Sequence, residues 1–423
     1  MLKNYIKIAW KVLGRNKFFT FVSLFGISFT LAVLLVVATL LEDLLNPKYP
    51  ETNSSKTLTV QNVTLRNENR SSMWRSNASF YFLDHYVKKL KTPALVSINS
   101  ESNNTTTFVG DKKLKLKLRY TCENYWKVFD FDFIEGKPYG KKEIDDNAFV
   151  TVITESTRDD YFGKGVSAVG KSLNANNANY TVLGVVKDAS FLRLSTDANM
   201  YTPYNTCPWD LQKVEFIGGF EANLMAHSRS DLKAIKAEFD NMIKRIEIPA
   251  EEEMKVIEVK AVTRLEQIAE EFFGSANSDD ISSSDSKAVN LFISTLIIGM
   301  LLFMLLPAVN LVNLNTSRIM ERASEIGVRK AFGATSSNLT IQFLVENILL
   351  TLIGGGIGLI LAYILVTILN NSGLIPNAQF QVNFTVFLAG LVFCLVFGLL
   401  SGVLPALRMS KMRIVNAIKG SES

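Results

Sequence analysis

Residues Gly165-Val-Ser-Ala-Val-Gly170-Lys171-Ser172 match the spacing G-x-x-x-x-G-K-[ST] of a phosphate-binding loop. In such a loop, backbone N–H groups and a helix N-terminus cradle phosphate, lysine neutralises it and the hydroxyl holds magnesium. That chemistry needs a strand before the loop and a helix after it. Here a helix is expected before it, at 155–162, and an Asn-rich stretch, 173–179, leads from it into a strand at Tyr180. No helix starts at Lys171, and no hydrophobic strand ends in an acidic pair to hold magnesium. The glycines read as turn residues, and the chain is not expected to hydrolyse ATP itself.

Other reactive side chains are sparse. His85 and His227 are the only histidines, and Cys122, Cys207 and Cys394 the only cysteines. No Cys/His cluster has metal-ligand spacing, so no metal site is expected. Neither histidine neighbours a nucleophile motif; both read as surface residues, and no catalytic residue is assigned. Cys122 and Cys207 share one soluble stretch, and spacing alone leaves their pairing open. Glu346 is an acid inside an apolar run. Exposing it to lipid would cost at least ~2 kcal/mol, so it should face protein or pair with a base. No second intramembrane ionisable group continues a proton relay from it.

The elements that hold these residues are strongly segregated. Runs 18–41, 288–314, 339–369 and 382–407 carry almost no charge, and each reaches the ~20 residues needed to cross a bilayer. Between the first and second lies 42–287, with the composition of a soluble domain. Residues 1–17, 315–338 and 408–423 together hold 13 basic and three acidic residues. The positive-inside rule puts those three segments in the cytoplasm, and 42–287 and the short loop 370–381 outside. The first apolar run has 24 residues. A signal-peptide core has about 7–15, so this run is expected to be an uncleaved anchor. Residues 2–13 repeat apolar side chains at helical spacing opposite Lys3, Lys7 and Lys11, which suits a helix in the headgroup plane. The basic residues flank membrane spans, where topology and lipid explain them, so nucleic acid is not an expected partner.

The outer segment reads as α/β. Residues 113–120 alternate Leu114, Leu116, Leu118 and Tyr120 against Lys113, Lys115, Lys117 and Arg119, which predicts a half-buried strand with the cations facing water. Further strands are expected at 58–65, 149–154, 180–186 and 255–259, and helices at 80–91, 231–246 and 264–273. Residues 103–107 and 174–179 read as loop tips. Gly354 and Gly358, and Gly398 and Gly402, have the G-x-x-x-G spacing of closely packed membrane helices. The expected fold is an α-helical membrane protein with four transmembrane helices and an α/β extracytoplasmic domain inserted between spans 1 and 2.

The most specific stretch is Asn313-Leu-Asn-Thr-Ser-Arg318-Ile-Met-Glu321-Arg322-Ala-Ser-Glu325-Ile-Gly327-Val-Arg329-Lys330-Ala-Phe-Gly333-Ala334. It resembles the signature of the MacB/FtsX-type ABC transporter permeases. Gly402-Val-Leu-Pro405-Ala406-Leu-Arg408 is similar to that family's closing motif. Tyr161-Phe-Gly163, Gly170-Lys171 and the run Tyr180 to Asp188 resemble its periplasmic core domain. Physically, Ile319, Ala323 and Ile326 make an apolar stripe on a short helix, Arg322, Glu325 and Arg329 can meet a partner, and Gly333 suits a helix C-terminal turn.

The resemblance implies a permease subunit of an ABC transporter in a bacterial inner membrane, both termini cytoplasmic. It implies a separate ABC ATPase that binds ATP and magnesium, with no cofactor in this chain, and a second permease copy or paralogue. It also implies contact with membrane lipids and a periplasmic or outer-membrane partner. The coupling residues would be Arg318, Glu321, Arg322, Glu325, Gly327, Arg329, Lys330 and Gly333. Cargo would be exported, or would be a lipoprotein, peptide or antibiotic. The rival reading is a membrane-anchored sensor, or a regulator of periplasmic cell-wall hydrolases, without transport. An external hydrolase lacks any nucleophile–base constellation.

Overall fold

The computed structural model describes residues 2–273 apart from 16, 70, 191 and 248–253, then 284–321, and 328–399 with short gaps. The described residues form two compact units, one drawn from 2–42, 293–373 and 380–399, the other from 43–292.

The chain opens with α1 (Leu2–Arg15) and α2 (Lys17–Leu45). Strands β1 (Thr57–Val60), β2 (Asn62–Arg66) and β3 (Met73–Ala78) lead to α3 (Phe80–His85). Then come β4 (Leu95–Ser100), β5 (Asn103–Val109), β6 (Lys112–Thr121), α4 (Tyr125–Val128), β7 (Phe133–Gly136), α5 (Lys141–Asp145), β8 (Val150–Thr154) and α6 (Glu155–Phe162). Next are β9 (Ser172–Ala175), β10 (Ala178–Val186), β11 (Met200–Pro203), β12 (Ile217–Gly218) and β13 (Phe220–Met225). The described elements end with α7 (Leu232–Ile243), β14 (Val256–Val259), α8 (Arg264–Phe273), α9 (Ser284–Glu321) and α10 (Ser336–Asn371).

In the second unit the strands join one sheet in the order β14-β2-β3-β13-β4-β6-β11-β8-β10-β7, with β1, β12, β5 and β9 as side branches. The ladders are antiparallel except β8–β10 and β6–β11. One apolar core packs α3 and α7 on β1, β2, β4 and β13 through Leu58, Phe82, Leu83, Ile98, Leu224, Ile235 and Phe239. Another gathers Leu116, Leu118, Tyr120, Ile153, Leu173, Val182 and Met200 from β6, β8, β9, β10 and β11. Side chains leave a pleated strand on alternate faces, so the alternation in β6 buries Leu114, Leu116, Leu118 and Tyr120 as expected.

The structure corrects several local expectations. Residues 103–107 are strand, not loop: β5 pairs with β6 from Asn103↔Leu118 to Val109↔Lys112 across a turn at Gly110, φ +57°. The threonines there are β-branched and find a partner strand that their own sequence does not reveal. In 174–179 only Asn176 and Asn177, at φ +50° and +60°, form the tip, because β9 and β10 pair up to them. Residues 58–65 are two strands that break at Gln61, as β1 pairs with β13 and β2 with β3. The helix expected over 80–91 stops at His85. The chain turns out so that the Lys91 and Thr92 N–H groups donate to the Glu238 carboxylate, both at 2.9 Å.

Among the described residues, α2 and the stretch Thr340–Asn371 within α10 are long and apolar enough to cross a membrane. Helix α9 is a 38-residue helix that continues through Pro307. In the first unit, a methyl group on Gly354 would lie 2.8 Å from Ile27 Cγ2, and one on Gly358 2.9 Å from the Ser28 carbonyl oxygen. Glycine therefore sets how closely α10 approaches α2, as the 354/358 spacing predicts; Gly398 and Gly402 lie outside the described residues. On the exposed face of α2, Phe21, Phe25 and Phe29 stack at centroid distances of 6.2 and 5.8 Å. An aromatic ladder this exposed suits contact with lipid.

Candidate functional site

The phosphate-loop lookalike is a structural turn. It follows α6 and runs into β9, and the Gly170 N–H is already donated to the Val182 carbonyl at 2.8 Å. Gly165 and Gly170 have φ of +75° and +81°, which explains glycine at both places. Glu135 reaches into the loop and accepts from Ser167 Oγ at 2.8 Å and from the Ala168 N–H at 3.2 Å. Burial opposes its charge, but those bonds and Arg158, at 3.0 Å, hold its carboxyl below the usual range. An ionised carboxylate inside the loop repels phosphate. Lys171 instead lies 5.6 Å over the Phe162 ring. Lys171→Ala should therefore leave the chain folded and cost it no nucleotide affinity. A nucleotide affinity of the isolated chain that disappears with this substitution would refute the assignment.

Cys122 and Cys207 are both free thiols. Burial raises the Cys122 thiol above its ordinary pKa, which disfavours the reactive thiolate. Both histidines are exposed, and no group of metal-ligating side chains occurs among the described residues.

The polar centre of the second unit is a hub around the loop 192–196. Arg119 of β6 and Glu221 of β13, both almost fully buried, form an ion pair at 3.0 Å. Asn99 donates to Glu221 at 2.7 Å, and Arg119 donates to the Leu194 carbonyl at 3.0 Å. Strict alternation assigned Arg119 to water; the structure turns it inward because Glu221, far away in sequence, supplies the countercharge. Next to this pair, Glu51 accepts from the Ser195 N–H at 3.0 Å and Thr196 Oγ1 at 3.1 Å, and faces Arg264 Nη1 at 3.6 Å. Burial, and then Arg193 nearby, depress the Arg264 guanidinium pKa, while Glu51 counteracts them.

Arg193, only 2 % exposed, bonds the last turn of α2. It donates to the carbonyls of Asp43 and, at 3.2 Å, Asn46, and pairs with the Asp43 carboxylate at 3.1 Å. Arg264, the first residue of α8, donates to the Leu44 carbonyl at 3.3 Å and to the Leu192 carbonyl at 2.5 Å. The last carbonyls of a helix lack intrahelical partners and carry partial negative charge, which two guanidiniums here satisfy. Sequence reasoning passed over Asp43, Glu51, Arg193, Glu221 and Arg264, and placed Arg119 on the wrong side of its strand. The one local signal was the acidic pair Glu42-Asp43 directly after an apolar run.

Of the residues expected to couple to a partner, Arg318 and Glu321 lie in the last turn of α9. Arg322, Glu325, Gly327, Arg329 and Lys330 fall outside the described residues. Gly333 is in a turn at φ +92°, ahead of Thr335, whose hydroxyl caps α10 by accepting from the Asn338 N–H at 3.3 Å. Glu346 is buried within the first unit and accepts from Gln342 Nε2 at 3.1 Å, one helical turn earlier.

Two family models match the chain: a MacB-like periplasmic core domain over residues 20–242, and an FtsX-like permease C-terminal region over residues 297–414. The chain belongs to the MacB/FtsX-type ABC transporter permeases. Its α/β unit is thus the MacB-like extracytoplasmic core domain.

Among relatives, the macrolide export ATP-binding/permease protein MacB of Campylobacter fetus is 27 % identical over 341 residues, covering 80 % of this chain and 47 % of that protein. The protein of that name from Escherichia coli is 21 % identical, covering 98 % of this chain and 60 % of its own length. The chain thus spans about half the length of these relatives. The ABC transporter permease YvrN of Bacillus subtilis, whose function is uncharacterised, is 24 % identical over 70 % of this chain and 68 % of its own length. The crystal structure of the periplasmic region of MacB from Actinobacillus actinomycetemcomitans aligns with 51 % of this chain and 94 % of its own, at 19 % identity and a TM-score of 0.36.

Proposed function

We propose that this MacB/FtsX-type chain is the mechanical membrane subunit of an ABC exporter. A separate ATPase binds ATP and magnesium on the cytoplasmic side. Its closure is passed through the loop 315–338, where Arg318, Glu321, Arg322, Glu325, Gly327, Arg329, Lys330 and Gly333 form the contact. The long helices then carry the motion to the core domain, which handles cargo outside the membrane: an exported compound, a peptide, an antibiotic or a lipoprotein. The observation that carries this reading is the joint match of both family regions on one chain. Helix α9 supports it: 38 residues rise ~57 Å, well beyond a ~30 Å hydrocarbon core, as a lever must.

In this reading four spans, 18–41, 288–314, 339–369 and 382–407, cross a bacterial inner membrane. Residues 1–17 and 408–423 are cytoplasmic, and two permease copies or paralogues form the unit. Affinity purification of the tagged chain from its own membranes tests the partner. An ABC ATPase subunit should come with it in stoichiometric amount and turn over ATP; a chain that purifies alone, with no ATP turnover, refutes the reading. Single cysteines test the topology in a background without native cysteines. An impermeant thiol reagent on sealed cells should label positions 111 and 277 and spare 336. Labelling at 336 would invert the assignment.

A further inference from the structure

We propose that α8 is a crossbar that joins the ends of the first two membrane helices inside the core domain, with Arg264, Arg193, Phe272 and Phe273 as the positioning residues of force transmission. The inference rests on the transporter reading above and names where its motion enters the domain.

The geometry is contained in the second unit. The last residues of α2, Asp43–Leu45, and the first residues of α9, Ser284–Phe292, both belong to it. At one end of α8, Arg264 bonds the Leu44 carbonyl of α2 and the Leu192 carbonyl of the hub loop. At its other end, Phe272 and Phe273 pack on Phe292 of α9 at centroid distances of 5.7 and 6.3 Å. Phe292 is buried, whereas Phe272 remains 68 % exposed. Between the two ends, Gln267, Ile268 and Ala269 are buried against the domain, and Gln267 donates to Gln61 between β1 and β2 at 2.9 Å. Helix α8 is therefore held along its length by the sheet while each end grips a different long helix.

The α2 end is built to resist slipping. Two guanidiniums, from α8 and the hub loop, hold three consecutive or near-consecutive carbonyls of one helix end, at Asp43, Leu44 and Asn46. Planar guanidinium forks fix direction as well as distance. The hub loop continues the connection: Leu194 accepts from Arg119 in β6, and Ser195 and Thr196 hold Glu51. A displacement of α2 along its axis cannot occur without moving the hub loop, α8 and the centre of the sheet, or breaking buried charge-assisted bonds. Buried ion pairs that contribute little net stability are well suited to fixing one specific arrangement.

The test uses the full chain with its ATPase in lipid nanodiscs. A spin label is placed on Asp111→Cys, in the exposed β5–β6 turn, with the native cysteines replaced. In the parent protein, ATP with vanadate should change the label-to-label distance between the two permease copies. Arg264→Ala should abolish that change while ATP turnover persists, and Arg264→Lys, which keeps the charge and one donor direction, should restore part of it. Phe272→Ala with Phe273→Ala should uncouple in the same way from the α9 end. Because Phe272 is largely exposed, this second variant carries the test if Arg264→Ala fails to accumulate. A structural role alone would lower the unfolding temperature without separating ATP turnover from the distance change. A normal ATP-driven change in the phenylalanine variant or in a folded Arg264→Ala protein overturns the crossbar. No change in the parent protein would instead overturn the transporter reading beneath it.

Discussion

Arg119→Ala will destabilise the core domain by about 3–5 kcal/mol, because it leaves the Glu221 carboxylate buried and unpaired. In a domain of this size that is a fall of roughly 10 °C in the unfolding midpoint. Glu221 would keep its bond from Asn99 at 2.7 Å, but one neutral donor does not replace a guanidinium. The variant Arg119→Met with Glu221→Leu removes both charges and fills the space, so it should recover most of the loss. Thermal melts of the purified chain followed by circular dichroism measure both. A single variant within about 1 kcal/mol of the parent would show that water already reaches the pair.

Under the proposed exporter reading, exchanging Glu325→Lys with Arg329→Glu should lower transport and co-purification of the ATPase while the permease keeps its abundance. The two positions are four residues apart and share a face if this stretch is helical. The loop's total charge is unchanged, so membrane insertion survives, and a reversed internal pair costs only ~0.5 kcal/mol or less. Like charges brought together against the ATPase cost several kcal/mol. Quantitative blotting of the permease and of the bound ATPase separates the outcomes. Full ATPase recovery with the double variant would reduce the loop to an ordinary positive-inside segment.

Local pattern carried far in this protein and then stopped at identifiable residues. Helix 155–162 and helix 264–273 were legible to the residue, because caps and periodicity are local: Thr154 caps α6 by accepting from the Thr157 N–H. Strand β6 was legible on its apolar face. On its other face Lys113 and Lys115 are exposed as read, but Arg119 is not: it is solvent-facing by every local rule and is buried only because Glu221 folds against it. Residues 103–107 looked like a loop for lack of apolar alternation, and became strand through β6. The phosphate-loop spelling showed the opposite failure. Four matching letters at the right spacing meant nothing until flanking elements were considered, and Glu135, 30 residues upstream of the loop's first glycine, decides its chemistry.

By itself the amino-acid sequence determined the apolar runs, the charge asymmetry between their flanks, the α/β character of residues 42–287 and the motif at 325–334 that points to the family. These are properties of composition, spacing and short-range order, and they need no partner in space. Only the tertiary structure decided which charges are buried and what they hold. Asp43, Glu51, Arg193 and Arg264 are separated by up to 221 positions, yet they meet at the end of α2. A buried guanidinium is tolerable only where carbonyls and carboxylates converge on it, and that convergence is created by the packing of distant elements.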